Sequence, residues 1–126
     1  MSLRSPLGRV LGLGSAKQGT AHWWSQRVSA VALVPLTLWF MYSLSTLPSL
    51  DFATVRTWLS LPSRGFLAML LVAVSTYHAY LGTDVAIEDY VRSTGVKLFS
   101  LLLLRFVYVL VGGAGIFAIL RIALGT

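Results

Sequence analysis

A histidine inside an apolar run is the residue of this sequence with the most chemical content. His78 lies in STYHAYLGTDVAIEDYV, Ser75 to Val91, which follows the wholly apolar residues Phe66 to Val74 and closes on Glu88, Asp89 and Tyr90. An ionisable group in such a run is costly in lipid and marks a functional position by default. A neutral imidazole is a good transition-metal ligand, and within a membrane span a haem iron suits it. On helical spacing His78, Gly82, Val85 and Asp89 follow one stripe, and Gly82 would let a flat macrocycle approach the backbone. The bland alternative is that His78 only hydrogen-bonds a neighbouring helix.

The rest of the chain bounds what could position these groups. Its 126 residues are 56% hydrophobic, above the roughly 45–50% of soluble domains, and the mean hydropathy is +0.79. The expected fold is an all-α membrane protein with three transmembrane helices. Ten Lys and Arg against four acids give a net charge of +6, but the basic residues flank apolar spans, which points to membrane topology and away from nucleic acid. With no cysteine the chain can form no disulfide and cannot by itself ligate an iron–sulfur cluster.

Residues 1–27 are basic, acid-free and glycine-bearing, and read as an extended segment on the membrane surface. A cleaved signal peptide is not expected, because the apolar run starts only at Val28 and is too long for one. The GRVLGLG run lacks the preceding strand and the closing Lys-Ser or Lys-Thr of a phosphate loop. Residues 28–47 form the first span, 20 uncharged residues or about 30 Å of helix, with Pro35 inside. Residues 48–65 connect, with a short interfacial helix between an Asp51 cap and Pro62, where Phe52, Val55 and Leu59 share a face. Residues 66–87 form the second span, 88–97 a polar connection, 98–120 the third span, and 121–126 a tail. Arg105 is placed to snorkel, and Gly112, Gly113 and Gly115 to admit a close helix.

Basic residues set the orientation. Arg4, Arg9, Lys17, Arg27, Arg92 and Lys97 stand on one side against Arg56, Arg64 and Arg121 on the other, which predicts an inner N-terminus and an outer C-terminus. Arg27, Asp89 and Tyr90 then meet at the inner face as a candidate polar site, with Trp23 and Trp24 as an aromatic anchor. His78 falls about 15 Å from a boundary near Glu88, close to mid-membrane. The only other histidine, His22, precedes the first span and is too far away to ligate the same iron. A bis-histidine haem therefore requires a partner in the membrane.

These residues carry a resemblance. The chain resembles the hydrophobic membrane anchor subunits of succinate dehydrogenase, respiratory complex II, of alphaproteobacterial type. The features are His78 followed at twelve residues by Tyr90 of an Asp-Tyr pair, and the segment HWWSQRVSAVALVPL from His22 to Leu36. No Ser-Pro-His occurs, which sets the chain apart from the companion cytochrome b556 anchor of the same complex. The resemblance implies that His78 is an axial ligand of a haem b shared with that cytochrome b556 anchor. It also implies that Tyr90 hydrogen-bonds ubiquinone with Asp89 beside it, and that Arg27 supports the haem propionates or the quinone site. Succinate would be oxidised on a flavoprotein subunit, and an iron–sulfur subunit would pass electrons to quinone in the bilayer. The short N-terminus favours a bacterial inner (plasma) membrane over a mitochondrial one. The competing readings are an anchor without haem and a small homodimeric transporter, the latter disfavoured because no acid lies at mid-span.

Overall fold

A computed structural model describes residues 6–10 and 19–126. Much of the basic N-terminal segment, including the GLG of the glycine run, Arg4 and Lys17, lies outside the described residues. Among the described residues all regular structure is helical: α1 (Pro6–Val10), α2 (Gly19–Ser45), α3 (Phe52–Leu59), α4 (Pro62–Tyr90) and α5 (Thr94–Leu124). α2, α4 and α5 are each long and apolar enough to cross a membrane.

Each long helix outruns its apolar stretch. α2 begins at Gly19, so the reading of the residues before Val28 as extended is corrected for Gly19 to Arg27, and α1 corrects it for Pro6 to Val10. Hydropathy marks where lipid begins, whereas a helix continues for as long as its backbone bonds are locally satisfied. The polar connection expected over 88–97 likewise shrinks to Val91, Arg92 and Ser93, because Glu88 to Tyr90 complete the last turn of α4 and α5 starts at Thr94. α4 starts with Pro62 in its first turn, where a missing N–H leaves no bond unmade. α5 ends on Gly125 at φ 76°, a left-handed position that suits glycine, and the Thr126 N–H closes on the Arg121 carbonyl at 2.9 Å.

α3 is nucleated by Asp51, whose carboxylate accepts from the Thr54 N–H at 2.7 Å and from the Ser49 hydroxyl. The Ser49 hydroxyl and then the Thr54 amide hold this carboxyl below the usual aspartate range. The buried face of α3, Trp58 and Leu59, packs with Ala68 and with Trp39, Phe40, Ile119 and Ile122, so this short helix ties together one end of all three long helices. Trp39 and Trp58 stack at 5.6 Å.

α4 is the central helix. It packs against α2 on one side and α5 on the other, and α2 and α5 do not pair with each other. The α4–α5 seam is close because a Cβ at Gly112 would stand 3.0 Å from Thr76 Cγ2, and one at Gly115 2.9 Å from Val72 Cγ1. Gly113 does not share this role, since a Cβ there would meet nothing within 4 Å. The three helices therefore form a single layer with large apolar residues on its open faces.

Candidate functional site

The polar groups of the α2–α4 seam follow from two antiparallel helices that present matching stripes. On α2 the residues His22, Gln26 and Ser29 lie on one face at helical spacing, and on α4 they meet Asp84, Gly82 and His78. Ser29 is only 5% exposed, and its Oγ lies 2.9 Å from His78 Nδ1. The same hydroxyl donates to the Gln26 carbonyl at 3.0 Å. A serine has one hydrogen to donate, so with that bond made Ser29 accepts from His78 in the tautomer whose proton is on Nδ1. Nε2 is left with its lone pair and makes no hydrogen bond among the described residues. This is the tautomer that a metal-ligating histidine needs, with the other nitrogen anchored by a neighbour.

His78 thus fits an axial haem ligand. Among the described residues no three of His, Asp or Glu converge, so a bare ion has no cage here, whereas a macrocycle supplies its own equatorial nitrogens. Gly82 is exposed, and a Cβ there would stand 3.8 Å from Gln26 Nε2, so its face is turned toward α2. Beside it Gln26 Oε1 and His22 Nε2 are buried without a hydrogen-bond partner, around a cavity of ≈ 400 Å³ that Gly82 and Val85 also line. Orphaned polar atoms of this kind are rare in a finished interior.

The other expected residues make no hydrogen bond or ion pair with one another among the described residues. Tyr90 is 85% exposed, Asp89 is exposed beside it in the last turn of α4, and Arg27 stands over the Trp23 ring at 5.4 Å. Among the described residues no hydrogen bond or ion pair joins Arg27 to Asp89 or Tyr90, so the polar site expected from these three is not closed by this chain. Asp84 faces His22, with Oδ2 to Nε2 at 3.8 Å, and not Arg27; the contact is too long for a hydrogen bond but attractive once the imidazole is protonated. Sequence reasoning missed Ser29 and Gln26. Asking which first-span side chain could hold Nδ1 of His78 across an antiparallel pair would have pointed to Ser29.

A second polar set lies on the opposite side of α4. Arg105 Nε donates to the Tyr80 hydroxyl at 3.1 Å, Thr83 and Tyr108 share a hydrogen bond at 3.0 Å, and the Tyr80 and Tyr108 rings meet edge-on.

Fold and site together define an integral membrane protein of three long apolar helices, with a buried-seam histidine on the central helix whose Nε2 makes no hydrogen bond among the described residues. Residues 1–112 match the succinate dehydrogenase/fumarate reductase transmembrane subunit family, and the chain belongs to that family. It is 36% identical over 107 residues to the succinate dehydrogenase hydrophobic membrane anchor subunit of Rickettsia bellii (strain RML369-C), covering 79% of this chain and 86% of that protein. The succinate dehydrogenase hydrophobic membrane anchor subunit of Paracoccus denitrificans is 32% identical over 121 residues, 96% of this chain and 93% of its own length. A succinate dehydrogenase membrane anchor subunit of Reclinomonas americana is 27% identical over 94 residues, 72% of this chain and 78% of its own.

Proposed function

We propose that this chain anchors a succinate:quinone oxidoreductase in a bacterial plasma membrane, with its N-terminus inside. In this reading it supplies one axial ligand of a haem b and half of a ubiquinone site. The observation that carries the proposal is the Ser29–His78 hydrogen bond, which leaves Nε2 free to ligate. Arg27 would offer a cation for a haem propionate. Any further ligand to the iron would come from the cytochrome b556 anchor, since His22 is about 10 Å along α2 from Ser29, the residue that meets His78. When bound, the haem supplies a one-electron redox centre within the membrane.

Tyr90 and Asp89 act where the iron–sulfur subunit abuts the inner face. The Tyr90 hydroxyl donates a hydrogen bond to a quinone oxygen as negative charge develops there, with Asp89 supporting it from the adjacent position. Their exposure is what a site completed by a partner requires. Succinate itself is oxidised on the flavoprotein subunit.

The test is a reduced-minus-oxidised spectrum of the complex that a tagged copy retains. His78→Ala should lose the b-type signal while Arg56→Ala keeps it, and equal haem in both variants removes the ligand assignment. Tyr90→Phe should lower quinone reduction well below dye reduction fed upstream; a parallel fall in both shows a role in assembly instead.

A further inference from the structure

Arg105 is a charged group that the haem and quinone sites do not use. It lies on α5 inside a helix otherwise free of charge from Leu98 to Leu120, and a charge so placed is kept only where something answers it. Among the described residues no carboxylate pairs with it. Its single hydrogen bond there, from Nε to the Tyr80 hydroxyl, fixes the guanidinium plane without neutralising it, and leaves both terminal amino groups free for another acceptor. Tyr80 is itself braced by the edge of Tyr108, which Thr83 holds.

The guanidinium stands at one end of a groove of ≈ 480 Å³ between α4 and α5. From Arg105 the groove runs past Tyr77, Gly112 and Gly113 to Ala73 and Ile116. That is about 16 Å of helix, half the hydrocarbon thickness and so the reach of one leaflet's acyl chain. Gly113 keeps the floor open, for a Cβ there would touch nothing within 4 Å. Arg105 and Arg121 are separated by about 24 Å along α5, slightly less than the hydrocarbon core, so both reach opposite headgroup layers.

We infer that the α4–α5 groove is a binding site for a glycerophospholipid whose phosphate docks on Arg105 and whose acyl chain lies along Gly112 and Gly113. The phosphate suits the free guanidinium edge, which presents parallel donors to a tetrahedral oxyanion. A planar apolar ligand would leave the cation unanswered. A fatty chain without a headgroup would do the same.

The assembled complex, stripped of lipid by prolonged detergent washing, is titrated with phosphatidylglycerol, with diacylglycerol and with inorganic phosphate, and bound lipid is read by native mass spectrometry. The wild-type complex should retain phosphatidylglycerol over diacylglycerol, with inorganic phosphate failing to compete at equal concentration. Arg105→Leu should lower phosphatidylglycerol affinity about tenfold or more, the factor for losing a hydrogen bond to a charged group. Arg105→Lys should keep part of it, and Arg121→Leu most of it. Gly113→Leu, which fills the groove and leaves the charge, should lower retention with every partner still present, and it decides the matter if Arg105→Leu does not assemble. Equal retention in wild type, Arg105→Leu and Gly113→Leu overturns the site. So does equal retention of diacylglycerol, or a carboxylate of a partner protein found cross-linked to Arg105.

Discussion

Replacing Ser29 with alanine tests the local chemistry of the site without touching His78, the proposed haem ligand. The substitution removes one oxygen from a residue 5% exposed and leaves His78 Nδ1–H facing an apolar methyl across the α2–α4 seam. An unmade bond of this kind costs about 1–3 kcal/mol when buried. Part of the cost falls on the geometry of the ring, because an unanchored imidazole can turn or exchange tautomers. Partners one bond removed from a ligand typically change metal affinity about 10–100-fold, or about 1.4–2.8 kcal/mol. The expected result is a complex with all its proteins present and haem lost on dilution or detergent washing, read as the ratio of b-type absorbance to flavin. Ser29→Thr, which keeps a hydroxyl, should restore much of that ratio. Ser45→Ala, whose hydroxyl only returns to the Tyr42 carbonyl, should leave it unchanged. Equal haem retention in Ser29→Ala and Ser45→Ala would refute the claim that the Ser29 hydroxyl prepares Nε2.

Gly115→Val should destabilise the α4–α5 pair by about 1–3 kcal/mol, since even a Cβ there lies 2.9 Å from Val72 Cγ1. Gly113→Ala should be near neutral, and mild denaturant titration of the complex separates the two. Trp58→Ala removes the centre of the cluster that joins α3 to the long helices and should cost about 3–5 kcal/mol, visible as a lowered Tm of the complex with its haem spectrum unshifted before melting. For Asp51 the folded carboxyl is depressed, so its contribution to the α3 cap is fully present above the ordinary aspartate pKa and is lost as pH falls through the lower, folded value. Amide exchange near Thr54, corrected for its intrinsic pH dependence, should rise only in that acid window, and Asp51→Asn should abolish the pH dependence.

The spans were legible because length and apolarity are properties of sequence alone, and the Asp51 cap because its signals are local. Helix ends were not. Gly19 to Arg27 and Glu88 to Tyr90 are polar, and a hydropathy boundary says where lipid stops, while hydrogen bonding along the backbone carries α2 and α4 further. His78 was legible as an expensive residue in a span. Its partner was not, because an isolated serine in a helix usually bonds its own backbone, as Ser45 does, and only the register of α2 against α4 selects Ser29. The same register turns Asp84 toward His22, which charge counting alone leaves free to pair with Arg27.

The single-layer arrangement explains why the chain's chemistry looks incomplete by itself. A bundle closes its own core, but here α2 and α5 are separated by α4 and only a few residues are buried. α3 fastens one end of the layer, through Trp58 and Leu59, while the end carrying His22, Asp84 and Tyr90 has no such clamp among the described residues. The end left open is also the end with orphaned polar atoms and an exposed tyrosine, while His78 stands near the middle of α4. The cluster that fastens the layer thereby lies apart from the residues proposed to serve haem and quinone. Trp58→Ala and Ser29→Ala should accordingly separate, the first lowering Tm ahead of haem content and the second lowering haem content ahead of Tm; if both variants lose haem and Tm together, the two ends are coupled and this division fails.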